Sequence, residues 1–126
     1  MKINFDGFLQ NTSAVGGYII CDWKGTTIRV GSNYYGCTSI TVAEARALRD
    51  GVQEAHAAGF KNLIIKGDNQ VIINMLSSTG SAPWQISNII KDVRYWLDQS
   101  NQVEVRHAYG ETNMVVDWLS KYGHSN

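Results

Sequence analysis

Residues 41–58 read TVAEARALRDGVQEAHAA, and this stretch decides the fold class. On a helix that turns about 100° per residue, its small and apolar side chains gather on one face, as in a helix that packs on a sheet. Gly59 follows at once and suits the end of that helix. Glu44 breaks the pattern, because it lies in the middle of the apolar face. A capping box that starts at Thr41 is one explanation, since its glutamate stands three residues after the N-cap.

The segments on both sides of this helix predict strands. Residues 10–16 are small and polar and are expected to form a loop between the first two strands. Strands are predicted over residues 2–9, 17–21, 26–35, 62–66 and 102–107, and helices over 41–58, 70–76, 84–98 and 112–122. This order predicts an α/β fold with a five-stranded mixed sheet, in which a three-strand antiparallel meander is joined by two parallel strands and flanked by helices.

Length and composition are typical of one globular domain over residues 1–126. Apolar residues make up 44% of the chain and charged residues 17%. The sequence contains no run of eighteen apolar residues that could span a membrane. It also lacks the basic N-terminal segment followed by an apolar stretch that is typical of a secretory signal. The chain begins almost directly in a strand, a start that suits a domain of a larger polypeptide.

The charge balance and the cysteines narrow the function classes. The chain has eleven basic and eleven acidic residues, so its formal net charge is zero. Any binding to nucleic acid is therefore expected to be weak or local. Cys21 and Cys37 lie sixteen residues apart without a CxxC pattern, which argues against a zinc site. Reduced cysteines suit an intracellular protein, and the cytoplasm and the nucleus are equally compatible with them. A disulfide between the two remains an alternative.

Three further carboxylates stand where the predicted sheet would bring them near Glu44. Asp6 lies in the first strand, Asp68 directly follows the apolar strand NLIIKG, and Asp117 lies in the last helix. Each also has a structural explanation: an Asp-Gly turn for Asp6, a helix N-cap for Asp68, and an exposed pair with Lys121 for Asp117. Ligand sites in open α/β sheets gather beyond the carboxyl ends of parallel strands. Neighbouring first and fourth strands would therefore bring Asp6 and Asp68 together.

A cluster of four carboxylates needs cations. Two unit charges ~4 Å apart repel each other by about 4 kcal/mol at an effective dielectric constant near 20, so the cluster persists only with protonation or bound cations. Hard oxygen ligands suit Mg²⁺ or Mn²⁺, and two divalent ions cancel four negative charges. Such a pair activates water and stabilises the leaving oxygen in phosphodiester cleavage. The expected cofactor is therefore two Mg²⁺ ions, for which Mn²⁺ can substitute.

Four segments resemble motifs of the ribonuclease H fold, from about residue 3 to residue 122. They are FDG with Asp6 and Gly7, TVAEARAL with Glu44, GDNQ with Asp68, and HAYGETNMVVD with His107 and Asp117. The most similar variety is the short ribonuclease H-like domain of plant genomes that is described as reverse-transcriptase-like. The resemblance implies an endonuclease that cleaves the RNA strand of RNA/DNA hybrids by two-metal-ion hydrolysis. The implied products carry 5′-phosphate and 3′-hydroxyl ends.

The resemblance also implies roles for single residues. The implied metal ligands are Asp6, Glu44, Asp68 and Asp117. His107, ten residues before Asp117, is expected to assist proton transfer or product release, and otherwise ends a strand. Substrate contacts are expected from Gly7, Gln70 and Asn113. The alternatives are a solvated first-turn glutamine for Gln70 and a helix N-cap for Asn113.

Several positions depart from the family pattern and leave two other functions open. Phe8 replaces a small hydroxyl residue, and Ile40 and Thr41 replace asparagines that contact 2′-hydroxyl groups in bacterial members. No basic, tryptophan-rich protrusion stands between Asp68 and His107. One alternative is a catalytically weak or silent ribonuclease H-like module that binds nucleic acid or another partner. The other is a different nuclease with an acidic cluster, such as an exonuclease or a junction resolvase.

Overall fold

The computed structural model describes residues 1–10, 12–77 and 82–107. Its elements are β1 (Lys2–Gln10), β2 (Ser13–Cys21), β3 (Thr27–Tyr34), α1 (Ile40–Ala57), β4 (Asn62–Gly67), α2 (Gln70–Ser77), α3 (Ser87–Asp98) and β5 (Gln102–His107). The sheet order is β3-β2-β1-β4-β5, antiparallel in the meander and parallel at β1–β4 and β4–β5. The predicted five-stranded mixed sheet is confirmed. The helix predicted over 112–122 lies outside the described residues.

The loop predicted over residues 10–16 is wrong, because β2 already begins at Ser13. Gln10 pairs with Ser13, so β1 and β2 form a tight hairpin. Ala14 also exchanges backbone hydrogen bonds with the segment after β3: its N–H donates to Gly36 and its carbonyl accepts from Tyr35. The small residues of this segment resemble a loop in sequence, yet Ala14 and Val15 are buried.

Helix α1 begins two residues before the position that a Thr41 capping box requires. The N-cap is Ser39, whose Oγ accepts a hydrogen bond from the backbone N–H of Val42 at 3.2 Å. Thr41 lies inside the first turn, so the capping-box explanation for Glu44 is wrong. Gly59 follows the helix with a φ of +86°, as the predicted helix end requires.

The helices pack on one face of the sheet and enclose the main core. The largest cluster of buried side chains contains residues from both strands and helices. Its almost fully buried members include Ile3 and Phe5 on β1, Ile65 on β4, Leu48 on α1 and Ile90 on α3. Each such side chain contributes roughly 1.5–3 kcal/mol through burial. A smaller buried cluster from the meander consists of Val15, Ile19 and Cys21, with Phe8 packed against it. Among the described residues, no helix is long and apolar enough to cross a membrane.

Strands β1 and β4 separate after a short contact, and this separation positions the site. Their pairing covers only Lys2–Asn4 against Ile64–Lys66. Beyond that point β1 stays paired with β2 up to Gln10, while β4 stays paired with β5 up to Gly67 opposite His107. An opening therefore forms between the two strands at the carboxyl end of β4, where ligand sites of open α/β sheets gather.

Candidate metal centre

Three of the four predicted carboxylates converge at this opening. Asp6 comes from β1, Glu44 from α1, and Asp68 directly follows β4. Each offers one carboxylate oxygen, and these three atoms all lie within 4.8 Å of one another. Asp6 and Glu44 are each only 5% exposed, whereas Asp68 is exposed to solvent. The fourth predicted carboxylate, Asp117, lies outside the described residues.

Asp6 and Gly7 lie inside a strand and do not form a turn. They pair with Gly17 and Gly16 of β2, so the Asp-Gly turn is wrong for this position. The Oδ1 atom of Asp6 accepts a hydrogen bond from the backbone N–H of Gly7 at 2.8 Å. A Cβ atom on Gly7 would lie 2.9 Å from Cγ of Glu44, so only glycine lets α1 approach β1 this closely. A substrate contact from Gly7 stays a prediction.

Asn69, which the sequence analysis did not single out, contacts both Glu44 and α2. Its Nδ2 lies 3.4 Å from Oε1 of Glu44, while its Oδ1 accepts hydrogen bonds from the backbone N–H groups of Val71 and Ile72. Asn69 therefore caps α2, and the N-cap explanation for Asp68 is wrong. An asparagine directly before a predicted helix is a strong capping signal that could have identified it.

Burial and charge repulsion favour protonation of the two buried carboxylates, Asp6 and Glu44. Burial, reinforced by the facing charges of Asp6 and Asp68, raises the pKa of Glu44 to about 8. Burial also raises the pKa of Asp6 to about 6, opposed by the hydrogen bond from Gly7 and assisted by Asp68. Two unit charges no more than 4.8 Å apart repel by at least about 3.5 kcal/mol at an effective dielectric constant near 20. The site therefore holds a proton at neutral pH unless a cation replaces it.

The unsatisfied atoms of the site fit a divalent cation. Within the described part of the chain, Oε2 of Glu44 is buried and has no hydrogen-bond partner. Such an atom is costly unless a ligand completes it. Three carboxylates with one solvent-exposed member form an oxygen donor set with an open side, which suits Mg²⁺ or Mn²⁺.

His107 lies beside this centre and forms a hydrogen bond with the backbone of Asp68. It ends β5 opposite Gly67, and its Nε2 donates to the carbonyl oxygen of Asp68 at 2.9 Å. A carbonyl oxygen can only accept, so Nε2 carries the proton. Gln70 is exposed and donates to Asn74 at 2.7 Å within α2, as the solvated first-turn alternative expects. Asn113 lies outside the described residues.

An apolar cavity lies between the first turns of α1 and α2 and the segment before α3. It has a volume of about 350 Å³, and its lining includes Thr41 of α1, Val71 of α2 and Pro83 before α3. The Oγ1 atom of Thr41 lies 3.5 Å from Nδ2 of Asn69, which connects the cavity to the acidic site. Ile40, one of the departures from the family pattern, is 39% exposed next to Thr41.

Comparison with known proteins agrees with this fold. The model of the reverse transcriptase-like family matches residues 4–123. Ribonuclease H1 of the halophilic archaeon Halobacterium salinarum is similar in structure, with a TM-score of 0.86 and 20% identity over 99% of this chain and 98% of that one. No curated protein matches the sequence.

Two further solved structures share the fold. LC11-RNase H1, isolated from compost by a metagenomic approach and solved in complex with an RNA/DNA hybrid, has a TM-score of 0.79 and 21% identity over 92% of this chain and 91% of that one. The foamy viral protease-reverse transcriptase, solved in complex with double-stranded DNA, has a TM-score of 0.67 and 14% identity, covering 90% of this chain and 82% of that one. At these identities the likeness shows the fold.

Proposed function

Since the chain belongs to the reverse transcriptase-like family, we propose that it is a ribonuclease H-type endonuclease, a metal-dependent hydrolase that cleaves the RNA strand of RNA/DNA hybrids. The observation that carries the proposal is the convergence of Asp6, Glu44 and Asp68 at the opening between β1 and β4. The hybrid bound to LC11-RNase H1, which has a similar fold, supports this choice of substrate class.

The proposed cofactor is a pair of Mg²⁺ ions, with Mn²⁺ as a substitute. Asp6, Glu44 and Asp68 would hold the ions, with Asp117 as the fourth ligand. A bound divalent pair supplies an activated water and neutralises the charge on the leaving 3′ oxygen. The chain's own contribution is to fix two carboxylates in a buried position while Asp68 stays open to solvent, where a substrate phosphate can approach.

The remaining site residues would act on protons and on the substrate. His107, whose Nε2 donates to the backbone carbonyl of Asp68, would assist proton transfer or product release. Gly7, Gln70 and Asn113 are the proposed substrate contacts. Hybrid recognition would rely on 2′-hydroxyl groups in the wide minor groove, which distinguish RNA from DNA.

The direct test is cleavage of an end-labelled RNA/DNA hybrid with Mg²⁺ or Mn²⁺. Wild-type protein is expected to cut the RNA strand, and Asp68→Asn is expected to lose this activity. Asp92→Asn, which removes an exposed carboxylate on α3, is the matched control and should retain it. If the wild type cuts no more than Asp68→Asn with either ion, the nuclease proposal is rejected. Double-stranded DNA, single strands and four-way junctions separate the exonuclease and resolvase alternatives.

A silent binding module is the second candidate, and the charge balance favours it. The chain has zero formal net charge, whereas a strong grip on a nucleic-acid backbone usually requires a basic excess. Thermal shift with Mn²⁺ and hybrid binding as a function of salt distinguish the two functions. A response to metal without affinity for the hybrid would favour the module.

A further inference from the structure

The side chain of Asn69 joins the acidic centre to two helices. Its Oδ1 accepts from the backbone N–H groups of Val71 at 3.0 Å and Ile72 at 3.3 Å, in the first turn of α2. Its Nδ2 lies 3.4 Å from Oε1 of Glu44 and 3.5 Å from Oγ1 of Thr41, both near the start of α1. A side-chain amide is suited to this place, since it combines an acceptor with two N–H donors.

The contact with Asn69 distinguishes the two oxygens of Glu44. Oε1 accepts from the amide, whereas Oε2 is buried and has no hydrogen-bond partner within the described ranges. Glu44 also contributes one oxygen to the three-carboxylate cluster. Groups that hydrogen-bond to a metal ligand set its orientation and thereby the affinity for the metal. The amide leaves one oxygen of Glu44 available for a cation.

We propose that Asn69 is a positioning residue of the metal centre, which holds Oε1 of Glu44 so that the other oxygen can bind the ion shared with Asp6 and Asp68. Because the same side chain caps α2, the helix after β4 and the ligand on α1 are held in one arrangement. This inference rests on the proposed metal centre, and it can be tested without substrate.

The test compares two variants of Asn69 with a control on the same helix. Asn69→Ser keeps an oxygen that can cap α2 but lacks the amide that reaches Glu44, and Asn69→Gly is a tolerated N-cap without a side chain. Asn74→Ser is the control, because Asn74 is also on α2 but is exposed and accepts from Gln70. Mn²⁺ affinity is measured by electron paramagnetic resonance on the substrate-free protein, and melting temperature is measured without metal.

Both Asn69 variants are expected to bind Mn²⁺ three- to tenfold more weakly, the range that the loss of one modest hydrogen bond gives. Their metal-free melting temperatures should stay within a few degrees of the wild type, and Asn74→Ser should keep both properties. The proposal is overturned if both Asn69 variants bind Mn²⁺ within twofold of the wild type. It is also overturned if the control weakens binding equally, or if the loss of affinity only follows a loss of stability.

These outcomes separate the inference from the proposed function. Equal Mn²⁺ binding by the wild type and by both Asn69 variants refutes the positioning role and leaves the nuclease proposal standing. Weaker binding by the variants, together with no hybrid cleavage by the wild type, supports the positioning role and rejects the nuclease. A wild-type protein that binds no Mn²⁺ refutes both.

Discussion

Glu44→Gln is expected to make the metal-free protein more stable than the wild type at neutral pH, by an amount that grows with pH. Burial and the charges of Asp6 and Asp68 raise the pKa of Glu44 from 4.5 to about 8. Between these values the folded state holds a proton that the unfolded state has released. The stability from protonated Glu44 is therefore complete below about pH 4.5 and is lost as the pH rises towards 8.

The size of this effect follows from the same pKa difference. Between pH 5 and pH 7, Glu44 alone should lower the free energy of unfolding of the wild type by about 2–3 kcal/mol. For a chain of 126 residues this corresponds to a decrease of about 8 °C in melting temperature. Glutamine has nearly the same shape and its oxygen can still accept from Asn69, but it has no charge to lose. Asp6, with a pKa raised to about 6, leaves a smaller slope of the same sign in the variant.

The assay is urea unfolding at several pH values from 5 to 7.5, with a chelator to remove divalent ions. Glu54→Gln is the matched control on α1, because the carboxylate of Glu54 pairs at the surface with Arg29 at 2.6 Å. The control should keep the wild-type slope of stability against pH, whereas Glu44→Gln should flatten it. Added Mg²⁺ should stabilise the wild type more at pH 7.5 than at pH 5. Parallel curves for the wild type and Glu44→Gln would refute this account of the buried carboxylate.

Three other substitutions test the structure around the site. Gly7→Ala places a Cβ 2.9 Å from Cγ of Glu44, so it should lower the free energy of unfolding in urea by about 1–3 kcal/mol and weaken Mn²⁺ binding. Unchanged affinity for Mn²⁺ would show that α1 can shift freely. Ser39→Ala removes the acceptor for the N–H of Val42 and should cost about 1 kcal/mol, and an unchanged urea midpoint would contradict the cap. Ile65→Ala opens the fully buried core and should cost about 2–5 kcal/mol by the same measurement; a cost under 1 kcal/mol would contradict tight packing there.

Most elements could be predicted because their signals are local. The apolar periodicity of α1, with Gly59 at its end, and the strand pattern of 102–107 each depend on residues close in sequence. Residues 13–16 belong to β2 although their composition favours a loop, because their strand structure depends on pairing with β1 and on hydrogen bonds to the segment after β3. Such pairing is a long-range property that a short segment does not contain.

The convergence of the carboxylates could be anticipated from topology, but their supporting contacts could not. Parallel strands bring Asp6 and Asp68 to one edge, and this much follows from the order of elements. The approach of α1 to Gly7 and the contact of Asn69 with Glu44 depend on how helices pack against the sheet. Such packing joins residues 25 positions or more apart, so no local pattern reports it.

The early separation of β1 from β4 has a mechanical consequence. The two strands share only three residue pairs, so the sheet consists of a β3-β2-β1 half and a β4-β5 half with a short seam between them. Asp6 belongs to one half and Asp68 to the other, while Glu44 reaches the same gap from α1, which packs on β1 and β2. An ion bound by all three carboxylates would link the two halves of the sheet. Metal binding would therefore also restrict the motion of one half relative to the other.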